Sequence, residues 1–283
     1  MLNLPELSLY ISHTCDIGCA SCFTYNNLNW GGHFKHGGEL FELKDKVDFE
    51  TVTILGGEPT TNPYLNEWME AVEQVWLDSD RYIVTNGRDL NRITSKCPNW
   101  RERGWKLEIS AHSQTDLDNV FLWFSKTYNN FSYTRFYDST HEDGEWHYDI
   151  FINDEHVGEI SEAWSFFKES LIAKPGEALT WDKLYDPEES HKNCIARECM
   201  YFVEGRFYRC ARQALLPQLA KTFQINGAYK ELAETDLGCT ASEFVEWSKT
   251  RLVPQSQCQF CPWGQKIELP KISNVKKINV KLL

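Results

Sequence analysis

The sequence predicts an α/β fold, as an open sheet or an α/β barrel, followed by a smaller cysteine-rich C-terminal unit. Three observations lead there. The first two thirds alternate short apolar runs with longer segments of helical periodicity. Alternation of strand and helix implies parallel strands joined by right-handed crossovers. Six of the ten cysteines return only after residue 193.

Taken in order, "ELSLYIS" (6–12), "TVTILGGEP" (51–59), "RYIVTNG" (81–87) and "KLEISAHS" (106–113) read as strands. Helical patterns lie between them. "NPYLNEWMEAVEQVWL" (62–77) has Pro63 suited to a first turn. "QTDLDNVFLWFSKTY" (114–128) places Leu117, Val120, Phe121 and Phe124 on one face. The stretch 131–160 alternates like two or three antiparallel strands, with turns near "EDGE" and "INDE", and is expected to hold a fifth barrel strand and a β-rich insertion. A boundary is expected near residue 185, giving regions 1–185 and 186–283. In parallel α/β folds chemistry sits at the carboxyl ends of the strands. The first cysteine loop, "GGEP", "TNG" and "SAHS" all fall there.

Composition narrows the function. Hydrophobic residues make up 42% and aromatics 14%, enough for a proper core. A net charge of −12 disfavours nucleic acid as the main partner. The lysine-rich end, with Lys271, Lys276, Lys277 and Lys281, is expected to decorate an edge strand. Neither a secretory leader nor an apolar run of about 18 residues is seen, so the expected location is the cytoplasm, with no membrane contact. In that reducing setting clustered cysteines hold metal more often than disulfides.

The loop "HTCDIGCASCF" carries Cys15, Cys19 and Cys22 as C-x3-C-x2-C, and no further cysteine comes before Cys97. Three thiolates can hold three irons of a [4Fe–4S] cluster and leave the fourth iron open to an outside ligand. Zinc would want a fourth protein ligand. His13 is the near candidate, but its place directly after the strand suits it poorly. A zinc knuckle completed from afar and unligated thiols are the other readings.

With "GGEP" after the second strand, this loop resembles the radical S-adenosylmethionine (radical SAM) superfamily. The resemblance implies a partial (β/α)6 TIM-like barrel with a small C-terminal iron–sulfur domain. It implies a cluster on Cys15, Cys19 and Cys22 whose open iron is chelated by S-adenosylmethionine. Gly56, Gly57 and Glu58 match the element that receives the SAM amino group. Glycines let a backbone approach a ligand, and a carboxylate pairs with an ammonium. Asn86, Ser110 and His112 stand where family members bind the methionine carboxylate and the ribose, against turn-forming or capping roles. Ser113 shares that strand end. One departure is Ser21, where the family usually has an aromatic that packs on adenine; Phe23 follows instead.

"HKNCIARECMYFVEGRFYRCARQ" and the later "CQFCPWG" resemble the Twitch appendage, a shortened SPASM domain. The resemblance implies one auxiliary [4Fe–4S] cluster on Cys194, Cys210, Cys258 and Cys261, with Cys199 as a substitute for Cys194. "GRFYRC" suits a hairpin presenting its cysteine. Seven cysteines remain after the first three, too few for a second auxiliary cluster. Cys97, Cys199 and Cys239 read as unligated buried residues. A zinc ribbon is the alternative.

The implied reaction is reductive cleavage of SAM to a 5′-deoxyadenosyl radical that abstracts a substrate hydrogen. A net two-electron dehydrogenation of a small sugar-like or alcohol substrate is expected, served by a donor such as flavodoxin or ferredoxin. Two other readings stay open: a peptide- or protein-modifying maturase, and a non-catalytic iron–sulfur or zinc scaffold. The loop 29–40, with His33 and His36, and the aromatics Trp146, Tyr148 and Trp164 are candidate substrate surfaces. No catalytic acid or base is assigned.

Overall fold

The computed structural model describes residues 1–18, 22, 24, 31–138, 145–163, 166–167, 171–172, 180–181, 185–194, 196–222, 238–261 and 266–267. Cys19, Ser21, Phe23, Trp164 and the four C-terminal lysines lie outside them.

A nine-stranded sheet organises the chain. Its strands are β1 (Leu2–Tyr10), β2 (Val47–Leu55), β3 (Asp80–Thr85), β4 (Trp105–Ala111), β5 (Phe131–Asp138), β6 (Glu145–Ile152), β7 (Glu155–Glu162), β8 (Cys199–Val203) and β9 (Arg206–Tyr208). Their order is β9-β8-β1-β2-β3-β4-β7-β6-β5. The six strands β8, β1, β2, β3, β4 and β7 are parallel; β9, β6 and β5 pair antiparallel with their neighbours.

One row across the sheet explains the helix-facing side. Phe202, Leu9, Ile54, Ile83 and Leu107 stand in direct register, and all are buried. Helix α1 (Leu65–Val75) packs Leu65, Trp68, Met69, Val72 and Val75 into this core at three- and four-residue spacing. A short α2 (Asn91–Lys96) adds Ile93, and α3 (Gln114–Thr127) adds Leu117, Val120 and Phe124. The Ser113 hydroxyl caps α3 by accepting from the Asp116 N–H at 3.1 Å. Pro63 stands ahead of α1 rather than in its first turn, because Asn62 turns the chain there. Its side-chain oxygen accepts from the Tyr64 N–H, and its amide donates to the Ile11 and Phe34 carbonyls.

The stretch 131–160 forms three strands, as its alternation predicts. Asn153 and Asp154 take positive φ values of 52° and 64° in the turn between β6 and β7, the backbone that a tight hairpin favours. The fifth parallel strand is the third of these, β7.

Strand order differs from a barrel whose strands follow the chain from first to sixth. The last parallel strand, β8, lies outside β1, with Cys199 opposite Glu6 and Phe202 opposite Leu9. The cause is edge occupancy: β6 covers the free edge of β7, so the returning chain pairs at β1. Among the described residues the sheet is open, ending at β9 and β5. Helix α4 (Pro187–Lys192) precedes β8, and α5 (Ala211–Thr222) and α6 (Phe244–Ser248) follow β9. No described helix is long and apolar enough to cross a membrane.

Trp68 links these layers. Its ring lies 6.0 Å from that of Phe202, and its N–H donates to the Phe34 carbonyl at 2.9 Å. Trp68→Ala is expected to cost about 3–5 kcal/mol, the range for deleting a buried large aromatic. Urea unfolding measures it, and a loss below about 1 kcal/mol would contradict this packing.

Candidate active site at the carboxyl rim of the sheet

The parallel strands deliver their carboxyl ends to one rim. The cysteine loop leaves β1, "GGEP" leaves β2, Asn86 follows β3, and His112 follows β4.

The first two loops are bonded to each other. The Gly57 N–H donates to the Ser12 carbonyl at 2.7 Å, and the Glu58 N–H to the Thr14 carbonyl at 2.8 Å. A Cβ on Gly57 would stand 2.5 Å from the Thr14 oxygen and 2.9 Å from the Cys15 Cβ; one on Gly56 would meet the Ser12 oxygen at 2.7 Å. The glycines therefore let the second loop close against the cysteine loop, a contact within the protein that the sequence does not reveal.

Glu58 is 1% exposed. Its Oε1 accepts from the Thr60 N–H at 3.0 Å and the Thr85 hydroxyl at 2.9 Å, and its Oε2 accepts from the Asn86 N–H at 2.8 Å. Burial raises its pKa, and the Thr60 hydroxyl together with these three donors opposes the rise. A carboxylate offers about four acceptor sites, so the four donors satisfy it within the protein. Lys96 supports the following turn by donating to the Thr60 and Asn62 carbonyls.

Asn86 is anchored rather than free-standing. Its amide donates to Asp16 Oδ1 at 2.8 Å, and its Oδ1 accepts from the Arg88 N–H. Asp16 Oδ2 accepts from Arg92 at 2.8 Å, and Arg92 also meets Asp89 at 3.1 Å. An Arg92–Asp16–Asn86 bridge thus fastens the cysteine loop to the end of β3.

Cys15 and Cys22 are partly buried and form no disulfide among the described residues. Burial pushes the Cys15 thiol up to about 12, with Glu58, Cys22 and Asp16 adding to the rise. Those neighbours put both described cysteines of the loop beside the Glu58 end of the rim. His13 is committed elsewhere. Its Nδ1 meets the Tyr10 hydroxyl at 2.8 Å, and burial lowers its pKa to about 4. His33 lies against Ser12 at 3.0 Å, where residues 32–34 run back along the end of β1. His36 packs edge-on against Trp68. Ser110 is half-buried in β4, opposite Ser161 of β7, and burial lowers the pKa of His112.

The second cysteine set also converges. Cys194 follows α4, Cys210 stands just before α5 after the β8–β9 hairpin, Cys258 lies within a 3-10 turn (Ser256–Phe260), and Cys261 ends it. Glu204 and Gly205 make the hairpin turn with φ values of 47° and 81°. The Ser190 hydroxyl donates to the Cys261 carbonyl at 3.1 Å, tying α4 to the terminal pair. Burial pushes the Cys210 thiol up to about 12, followed by the proximity of Cys261, Cys194 and Cys258. Cys199 instead meets the Ser8 hydroxyl at 3.1 Å, inside the sheet beside Glu6. This placement favours Cys194 over Cys199 as the fourth partner. Among the described residues no group of three or more His, Cys, Asp or Glu side chains is arranged to hold a metal ion. A cubane spreads its thiolates around a cluster instead of converging them on one ion.

Asp16, Arg92, Lys96 and Glu108 are the residues a motif reading misses. Asp16 was visible next to Cys15, and Glu108 on the polar side of "KLEISAHS". Trp105, Leu107, Ile109 and Ala111 face the helix layer, so Lys106, Glu108 and Ser110 face the other side. There Glu108 stands directly opposite Glu159 of β7. Burial, then Glu159 and Glu6, raise its pKa to about 7.

Two outcomes follow from this geometry. Gly57→Ala should push the cysteine loop away, costing about 1–3 kcal/mol as overpacking does and lowering iron uptake on anaerobic reconstitution; unchanged stability and uptake would refute the contact. For Glu108 the folded state holds its proton more tightly than the unfolded chain, so stability is lost as pH rises from 4.5 to about 7. The loss is up to about 3 kcal/mol. Glu108→Gln should remove that fraction of the pH dependence in urea unfolding at pH 5 and pH 8, and parallel curves would show that Glu108 is not perturbed.

No family model matches the chain. It is similar to an S-adenosylmethionine-dependent nucleotide dehydratase of Flammeovirga pacifica, 26% identical over 96 residues. That match spans 31% of this chain and 32% of the relative. Among solved structures, it is similar to BtrN in an open conformation, with 13% identity and a TM-score of 0.45 over 94% of this chain and 96% of that one. BtrN in complex with AdoMet and 2-DOIA gives 13% identity and a TM-score of 0.48, over 92% and 93%. At that level of likeness the chemistry of the site stands on this chain's own residues.

Proposed function

We propose that this rim carries a [4Fe–4S] cluster on Cys15, Cys19 and Cys22 together with S-adenosylmethionine, and that the protein is a radical SAM enzyme. The observation that carries the reading is the junction of the two loops. Two backbone hydrogen bonds and two glycines hold the cysteine loop against a buried glutamate that four donors favour in its charged form. Structural zinc does not ask for such a carboxylate. The short match to a SAM-dependent dehydratase agrees with this reading. The donor set fits the group, since Cys15 and Cys22 are partly buried, outside any described disulfide and beside Glu58.

When bound, the cluster and SAM supply a 5′-deoxyadenosyl radical that takes a hydrogen atom from an unactivated carbon. The chain's residues position that cofactor. Glu58, whose charged form its donors favour, would pair with the SAM ammonium. Gly56 and Gly57 fix the distance between its backbone and the cysteines. Asn86 holds the cysteine loop through Asp16, beside the place the methionine carboxylate would take. Ser110 and His112 close the β4 side against the ribose. Within the C-terminal region, from about residue 186, Cys194, Cys210, Cys258 and Cys261 carry an auxiliary [4Fe–4S] cluster. Four cysteines leave that cluster no open iron, so it moves electrons and does not bind substrate. The net reaction is the two-electron oxidation of a small alcohol-bearing substrate, in a partial-barrel scaffold served by a flavodoxin- or ferredoxin-like donor in the cytoplasm.

The test is anaerobic reconstitution followed by reduction with dithionite in the presence of SAM. 5′-Deoxyadenosine is expected, and Glu58→Gln should reduce its yield at least about tenfold, as loss of a charge-assisted contact does. Protein lacking Cys15, Cys19 and Cys22 should keep about four irons. No cleavage by reconstituted wild type, or zinc in place of the residual iron, would sink the assignment.

A further inference from the structure

We propose that a second copy of this chain pairs antiparallel with β5, joining the two sheets about a twofold axis through Thr134.

The two ends of the sheet are finished differently. Outside β9, Phe207 and Cys239 exchange both main-chain hydrogen bonds at 2.9 Å, so that edge is covered. At the other end β5 pairs with β6 along all eight of its residues, and among the described residues nothing pairs with its outer side. Proteins blunt an open edge by shortening it, bulging it, or placing proline or lysine on it. The sequence "FSYTRFYD" has neither proline nor lysine, and its register with β6 is continuous. The edge is also aromatic. Tyr133 is 50% exposed and Tyr137 51%, with Trp146 of β6 opposite Tyr137 at 38%. On this face Tyr133 meets Phe121 of α3 at 4.6 Å between ring centres, and the Arg135 guanidinium lies 3.8 Å from the Trp146 ring.

The backbone shows which residues are ready to pair. The Asn153 N–H donates to the Asn130 carbonyl at 3.1 Å, and these two continue the register in which Phe131 stands opposite Ile152. Opposite residues of an antiparallel ladder alternate between exchanging both hydrogen bonds and exchanging none. Ser132, Thr134, Phe136 and Asp138 therefore turn their main-chain groups toward β6. Phe131, Tyr133, Arg135 and Tyr137 turn theirs to the open edge.

Those four residues select both the occupant and the register. A second β5 running antiparallel engages all four only when the axis passes through Thr134. Phe131 then stands opposite Tyr137 of the second copy, and Tyr133 opposite Arg135. Each pair occurs twice, giving about eight main-chain hydrogen bonds. The side-chain pairs are aromatic on aromatic and cation on aromatic ring, both favourable across a ladder. Asp138 falls opposite Asn130, so no like charges meet. Moving the axis to Arg135 would set one guanidinium against the other, and moving it to Tyr133 would leave Tyr137 unpaired. A patch complementary to itself is what a twofold interface requires. The first cysteine loop leaves β1 and Cys210 follows β9, toward the opposite end of the strand order, so this pairing leaves both cysteine sets uncovered.

The test begins with sedimentation velocity of the reconstituted protein. At about 100 µM it should run as a dimer, which needs a Kd below about 10 µM. Tyr133→Lys sets an ammonium opposite Arg135 in both pairs and should weaken the dimer at least about tenfold. Phe136→Lys, on the other face of the same strand, should change it by less than about threefold. Anaerobic treatment with oxidised glutathione should link Thr134→Cys protein through residue 134 of each copy, as peptide mass spectrometry would show. The central pair places its Cα atoms about 4.5 Å apart, within reach of a disulfide. Ser132→Cys, displaced by about 13 Å along the strands from its counterpart, should not link. A monomeric wild type at that concentration, equal weakening by the two lysine variants, or linkage at residue 132 as ready as at 134 would overturn the proposal. If Tyr133→Lys does not fold by circular dichroism, the cysteine pair decides: linkage at 134 alone supports the interface, and its absence refutes it.

Discussion

The buried carboxylate of Glu58 is the constraint on which the rim depends. It lies in the loop after β2, yet two of its four donors, the Thr85 hydroxyl and the Asn86 N–H, belong to the end of β3. A carboxylate removed from water must have its lone pairs satisfied. Meeting that requirement pins the two strand ends together. The backbone of the same residue donates to Thr14, so the cysteine loop is registered against the same point. Asn86 then reaches forward to Asp16, closing a circuit of β1, β2 and β3 through polar contacts alone. The apolar row beneath sets the strands side by side, and this polar circuit sets the loops above them.

Topology brings the second set of cysteines to the same sheet. The hairpin of β6 and β7 occupies one edge, which leaves β1 as the edge where β8 pairs in parallel. Since β8 leads through the Glu204–Gly205 turn into β9 and then Cys210, the hairpin that leads to Cys210 is built on the strand paired with β1, from which the first cysteine loop departs. Cys199 is a consequence of that pairing. Its place opposite Glu6 and its contact with Ser8 put it inside the sheet, where it fills space as a small buried residue.

The two faces of the sheet follow different rules. Toward the helices, Phe202, Leu9, Ile54, Ile83 and Leu107 form a continuous apolar layer. The opposite face carries carboxylates, hydroxyls and tyrosines at the alternate positions. A face meant only for packing would not hold Glu108 against Glu159. The outer hairpin differs again, with Tyr133, Phe136, Tyr137 and Trp146 partly in solvent and Arg135 stacked 3.8 Å from the Trp146 ring.

What the sequence by itself determined is local. Period-two runs defined β1 to β4, period-3.6 patterns defined α1 and α3, and the spacing of Cys15, Cys19 and Cys22 made the loop a candidate ligand set, because such signals need only a residue and its near neighbours. Alternation also foretold the three strands of 131–160. Tertiary structure alone decided the rest. That β8 joins β1 depends on which sheet edge remains free, a property of the whole sheet. That Gly57 serves contact with Cys15, that Asn86 is held by Asp16, and that Glu108 meets Glu159 across a ladder depend on pairs separated by some 40 to 70 residues. No local pattern encodes such distances; they exist only once the strands are in register.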